Sequence, residues 1–149
     1  MGLLETVAKQ LAEAMRQGDK VRVETLRLLR AALIEATKAG EGVELTPERE
    51  YQIVRSAIKK RQEAIEQYER AGRLDAAARE RQELAILESF LPPQLGDDEL
   101  RAELERIIAE LGAVGPKDFG RVMREAMQRL RGRAEGDRVQ FWVRQLLGQ

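Results

Sequence analysis

Apolar residues recur along this chain three and four positions apart, the spacing of one helix face. Leu3, Leu4, Val7, Ala8, Leu11, Ala14 and Met15 place a first helix from Leu3 to about Arg16, and Gly18 suits its C-terminal cap. Asp19 opens a second helix that runs to about Lys38, with Val23, Leu26, Leu29, Leu33 and Ala36 turned inward and Ala39-Gly40-Glu41-Gly42 as its break. Thr46-Pro47-Glu48 is a start signal, with threonine as N-cap, proline at the first helical position and an acid in the first turn. The third helix then extends to about Ala71, where Gly72 ends it. Tyr51, Val54, Ile58, Ile65 and Tyr68 share its apolar stripe, and Arg61 interrupts that stripe. A fourth helix, from about Asp75 to Ser89, is expected to bury Leu84 and Leu87 with Ile86 beside them, and Pro92-Pro93 closes it.

Beyond the prolines the pattern resumes. Leu100, Leu104, Ile107, Ile108 and Leu111 mark a helix over 98–111, capped by Gly112. Gly115-Pro116 opens the next, which carries Phe119, Val122, Met123, Met127 and Leu130 and stops at Gly132. The last begins near Asp137 and carries Val139, Trp142, Val143, Leu146 and Leu147. No segment alternates as a strand requires, and no internal repeat emerges. The reading is all-α: an N-terminal four-helix bundle over residues 1–93, then a three-helix bundle over 94–149.

Composition agrees with helices, since Ala, Leu, Glu, Arg and Gln dominate and aromatics make up only 4%. The absence of cysteine and histidine removes thiol nucleophiles, disulfides, Cys/His metal sites and the usual near-neutral acid–base group. No catalytic constellation, metal or cofactor is expected. Ser56 with Lys59 or Lys60 shares one helix face, but such pairs are ordinary on helix surfaces. Apolar runs are too short for a membrane span, and Met1-Gly2-Leu3-Leu4-Glu5 lacks a basic-then-apolar signal pattern, so no membrane partner and a cytoplasmic location are expected.

The formal net charge is zero but unevenly laid out. Residues 97–112 hold six acids against two bases, whereas residues 113–149 hold eight bases against four acids. The acids Asp97-Asp98-Glu99 suit a hard cation, but a helix's first turn explains them more simply through the helix dipole. In the basic half, Arg131-Gly132-Arg133-Ala134-Glu135-Gly136 sets two arginines among glycines between two helices, and Lys117 and Arg121 lie one turn apart just before. Glycine lets a backbone approach a ligand, arginine grips phosphate bidentately, and the following helix offers its positive end. The same residues also describe a plain glycine-capped connection with solvated arginines, so both readings stand on spacing alone.

Several stretches together resemble one family. They are Gly18-Asp19-Lys20-Val21-Arg22, Thr25-Leu26-Arg27-Leu28-Leu29, Ile58-Lys59-Lys60-Arg61-Gln62-Glu63-Ala64-Ile65, Tyr68-Glu69-Arg70-Ala71-Gly72-Arg73 and Glu83-Leu84-Ala85-Ile86-Leu87-Glu88-Ser89-Phe90-Leu91-Pro92. The second half adds Gly112-Ala113, Lys117-Asp118-Phe119-Gly120-Arg121-Val122-Met123 and Gly132-Arg133-Ala134-Glu135-Gly136. In order and spacing, over about residues 3–147, this is similar to a stand-alone YqeY-like protein of the GatB/YqeY family. The resemblance implies a four-helix bundle followed by a three-helix bundle. It also implies kinship with the C-terminal tail of the B subunit of the glutamine-dependent amidotransferase that repairs misacylated Glu-tRNA(Gln) or Asp-tRNA(Asn). In that family the tail recognises tRNA, and the carbon–nitrogen ligase chemistry, with glutamine as amido donor, sits in domains this chain lacks.

The sequence therefore suggests an accessory tRNA-binding module, without a catalytic centre of its own, partnered by tRNA and by an amidotransferase or an aminoacyl-tRNA synthetase. Lys117, Arg121, Arg131 and Arg133 are the expected phosphate contacts, with Gly132 and Gly136 shaping the turn. A monomer is expected. The alternative is a helical protein-interaction adaptor that binds no nucleic acid, favoured by the zero net charge and the acidic helix 98–111.

Overall fold

A computed structural model describes residues 2–39 and 45–148. Among them there are seven α-helices and no strand, so the all-α reading holds. The helices are α1 (Leu3–Gln17), α2 (Lys20–Ala39), α3 (Pro47–Arg70), α4 (Leu74–Glu88), α5 (Asp97–Leu111), α6 (Phe119–Arg129) and α7 (Gly136–Leu146), with one 3-10 turn at Pro116–Asp118. The break expected at Gly40-Glu41-Gly42 lies outside the described residues. The chain divides into two compact units, Met1–Leu91 and Pro92–Gln149.

In the first unit, local signals account for where the helices start and stop. Gly18 adopts the left-handed conformation at φ 70° and donates its N–H to the Met15 carbonyl at 3.2 Å, which ends α1 at a point where a side chain would be strained. Asp19 Oδ1 then accepts from the Arg22 N–H at 3.2 Å and caps the start of α2. Thr46 Oγ1 accepts from the Arg49 N–H at 3.2 Å, with Pro47 at the first position of α3.

Packing follows the apolar stripes. α1 lies along α2, α3 lies along α4, and α2 also meets both α3 and α4. Val7, Leu26, Leu29, Leu33, Val54 and Leu87 are buried together, each stabilising by roughly 1.5–3 kcal/mol relative to exposure. α4 departs from the sequence reading: Leu87 is fully buried, but Leu84 and Ile86 are only half-buried and Glu83 is buried. The cause is Arg61, the residue that interrupts the stripe of α3. Its Nε lies 3.3 Å from the Glu83 carboxylate and 3.5 Å from that of Glu80, so α3 and α4 meet through charge where the stripe would have met through apolar contact.

The second unit has its own core. Leu100, Leu104 and Ile107 of α5 pack with Val122 and Ala126 of α6 and with Val139 and Val143 of α7. Leu95, Leu130, Ala134 and Leu147 close it, and each of the three helices touches the other two. Gly115-Pro116 opens a single 3-10 turn before α6, because Asp118 draws the preceding backbone inward by accepting from the Val114 N–H at 2.9 Å. The acids at the start of α5 are occupied locally. Glu99 Oε1 accepts from the Gly96 N–H at 3.1 Å, and Asp97 pairs with Arg138 of α7 at 2.7 Å.

Candidate nucleic-acid interface

Lys117, Arg121, Arg131, Gly132, Arg133 and Gly136 all fall in the second unit: on the segment before α6, on α6, on the turn that follows it, and at the first position of α7. The exposed arginines of α6 are engaged differently. Arg129 is bound to Glu125 of its own helix and to Glu110 of α5, an arrangement that raises the arginine's pKa through its hydrogen bond to Glu110 and then to Glu125. Arg121, Arg124 and Gln128 are all exposed and spaced three and four residues apart, so they share one face. Lys117 and Arg131 lie just before and just after this helix. Arg124 belongs to the stripe as fully as Arg121 does. Its three-residue spacing from Arg121 is the sequence signal for it, although it lies one position beyond the motif that ends at Met123.

The cations differ in how far they are already committed. Arg121 pairs with Asp118 at 3.3 Å. Among the described residues, Lys117, Arg124 and Arg133 are exposed and have no carboxylate within 4 Å. Asp118 is held below the usual carboxylate range, first by the Val114 N–H it accepts and also by Gly115 and Arg121. The basic face is therefore strongest at Lys117, Arg124 and the turn.

The turn itself is pinned. Gly132 has φ 75°, a conformation that a side chain adopts only at a cost, so glycine is required there. Its carbonyl accepts from Gln94 Nε2 at 2.7 Å, and the neighbouring Arg133 carbonyl accepts from the Leu95 N–H at 2.9 Å. The segment after Pro92-Pro93 is thus built into the second unit as the support of the arginine turn. Gly136 is the first residue of α7 and has no positive φ, and a Cβ placed on it would meet only Met127 Cε at an ordinary 3.8 Å. The positive end of α7 carries the exposed acids Glu135 and Asp137, which already occupy the position offered to an anion.

α7 adds a feature that the apolar stripes alone do not show. Phe141 is 55% exposed and shares the outer face of α7 with Asp137, Gln140, Arg144 and Gln145 around a shallow depression. Trp142 is part-buried against the core, with Phe141 edge-on to it at 5.2 Å between ring centroids and Arg101 over its face at 5.8 Å. Arg144 lies over the ring of Phe119 at 5.1 Å. Phe141 falls off the stripe formed by Val139, Trp142, Val143 and Leu146, and that is the sequence signal for its exposure. Among the described residues no group of three or more acidic side chains is placed to hold a metal ion, and no helix is long and apolar enough to cross a membrane.

A family model described as "Yqey-like protein" matches residues 4–147. The chain belongs to the YqeY-like family. Two curated relatives are similar to it. One is the protein named "Altered inheritance of mitochondria protein 41, mitochondrial" from Pyrenophora tritici-repentis (strain Pt-1C-BFP), 27% identical over 149 residues, covering 98% of this chain and 81% of the relative. The other is a Schizosaccharomyces pombe protein described as uncharacterized, 32% identical over 90 residues, covering 60% of this chain and 72% of the relative. This YqeY-like chain thus carries the family match over both of its units, and the basic stripe and pinned turn lie within it.

Proposed function

We propose that this YqeY-like protein is a tRNA-binding accessory module that works beside a glutamine-dependent tRNA amidotransferase or an aminoacyl-tRNA synthetase and contributes no catalysis of its own. The observation that carries the reading is the set of exposed cations without acidic partners, Lys117, Arg124 and Arg133, beside the arginine turn that Gln94 and Leu95 hold in place. Contacts from such side chains go to phosphate and ribose and read the shape of folded RNA, because the deep groove of A-form helices is closed to side chains. The exposed ring of Phe141 offers a platform for an unstacked base, a contact typical of single-stranded RNA recognition. The reading puts the protein where tRNA is charged, the cytoplasm in the first instance. The mitochondrial relative is assigned by its name to another compartment that charges tRNA.

A second reading, a protein-interaction adaptor without nucleic acid, draws on the zero net charge and on the many arginines that are paired within the fold, such as Arg129 and Arg138. The double variant Arg131→Glu/Arg133→Glu separates the two. Under the tRNA reading its affinity for tRNA at physiological salt drops well below that of the unaltered chain. Equal affinity of the two proteins removes the turn from the binding surface, and partners that all survive nuclease treatment of a lysate favour the adaptor.

A further inference from the structure

The first unit carries a cleft of about 490 Å³ bounded by α2, α3 and α4, and nothing in the tRNA reading uses it. Its size falls in the range of roughly 300–1,000 Å³ typical of small-molecule sites. The floor is apolar, made by Leu29, Ile53 and Leu87 of the core, and Ala32 and Ala57 continue it to the surface. Leu28 at its edge is 58% exposed, a large aliphatic side chain left in water. Around this apolar surface stand three cations, Arg49, Lys60 and Arg61, against one acid, Glu35.

Arg61 distinguishes the cleft from a packing defect. Its side chain is only 16% exposed, yet its Nε is buried without a hydrogen-bond partner. Glu80 and Glu83 lie close enough to neutralise it in part, but neither meets the Nε–H in hydrogen-bonding geometry, and neither lines the cleft. Burial, and then the adjoining Glu80 carboxyl, push the Glu83 pKa upward. An arginine and a lysine at the wall of a cleft with an apolar floor suit an oxyanion that arrives with its own apolar body.

We propose that the cleft between α2, α3 and α4 binds a small amphipathic anion, a carboxylate on an apolar chain, whose head group meets Arg61 and Lys60 and whose chain lies on Leu28, Leu29, Ala57 and Leu87. The apolar floor lies inside the cleft, so a compact ligand that enters it fits better than a flat protein surface. The site lies wholly in the first unit and is independent of the nucleic-acid reading.

Calorimetric titration of the full chain with decanoate below its micelle concentration tests this, with decanol and acetate as partners lacking the charge or the chain. Decanoate is expected to bind, and amide shifts on binding are expected to centre on Ala32 and Ala57. Decanol and acetate should bind more weakly by roughly tenfold or more, as should decanoate to Arg61→Met, the size of a missing charge-assisted hydrogen bond. Equal binding of decanoate and decanol, or no decanoate binding, overturns the proposal. Should Arg61→Met lose helicity, Ala32→Trp supplies the second arm, because Ala32 is exposed and its replacement fills the cleft without touching the core. Loss of decanoate binding in folded Ala32→Trp supports the site, and unchanged binding contradicts it.

Discussion

Gln94 and Gly132 are 38 residues apart in sequence and joined by a hydrogen bond of 2.7 Å, from the glutamine Nε2 to the glycine carbonyl. The bond fastens the segment after the two prolines to the turn that presents Arg131 and Arg133. It turns a stretch that looks like a linker into a support for the candidate RNA surface. Gln94 Nε2 also donates to the Pro92 carbonyl at 2.7 Å, so one side chain organises both segments of the support.

Gln94→Ala should therefore destabilise the second unit by about 1 kcal/mol, the usual net worth of such a bond. Trp142 is the only tryptophan of the chain and lies in that unit, so its fluorescence during urea denaturation reports the change directly. An unchanged midpoint would show that the turn holds itself.

The two glycines of the turn should respond in opposite ways to alanine. Gly132→Ala places a side chain at φ 75° and should cost about 1–2 kcal/mol. Gly136→Ala sits in the first turn of α7 with room for a Cβ and should be neutral or stabilising by up to about 1 kcal/mol. Denaturation of the two variants side by side checks the contrast.

The helix boundaries of this chain are legible in its residues because the signals are local. Gly18, Thr46-Pro47 and Gly112 each act within four residues of themselves, and each caps its helix as its residue type predicts. The Gln94–Gly132 bond has no such signature, since glutamine in a loop carries no local preference for one distant carbonyl. Glu83 is hidden for a related reason. Its burial depends on Arg61 of a neighbouring helix, and α4 read alone favours Leu84. Of the candidate site, Lys117, Arg121 and Gly132 are visible as residue types at useful spacing. The support from Gln94 and Leu95, the commitment of Arg121 to Asp118, and the degree to which Phe141 is exposed depend on how the helices pack.

Asp118 should make the second unit acid-sensitive. Its folded-state pKa is depressed below the ordinary carboxylate value, first by the Val114 N–H, so its contribution is present above that ordinary value and is lost as pH falls through the folded value. Asp118→Asn should lower the unfolding midpoint at pH 7, and the gap from the unaltered chain should close in strong acid. A gap of constant size from neutral to acidic pH would mean that ionisation of Asp118 contributes nothing.

The paired and unpaired cations around α6 should differ in their effect on RNA. Lys117→Glu/Arg124→Glu should weaken tRNA binding and flatten its salt dependence, by about one unit of log–log slope for each phosphate no longer neutralised. Arg129→Gln should leave binding near that of the unaltered chain and should instead loosen the α5–α6 contact made through Glu110. Binding curves and denaturation curves of both variants separate the two roles.

The most direct measurement is the affinity of the full, unaltered chain for total tRNA across a salt series. Micromolar or tighter binding at low salt that falls steeply as salt rises is the expected result, because a surface of exposed lysine and arginine holds RNA through phosphate contacts and the counterions they release. No binding even at low salt, or binding indifferent to salt, would contradict the account and leave the basic turn as a helix connection.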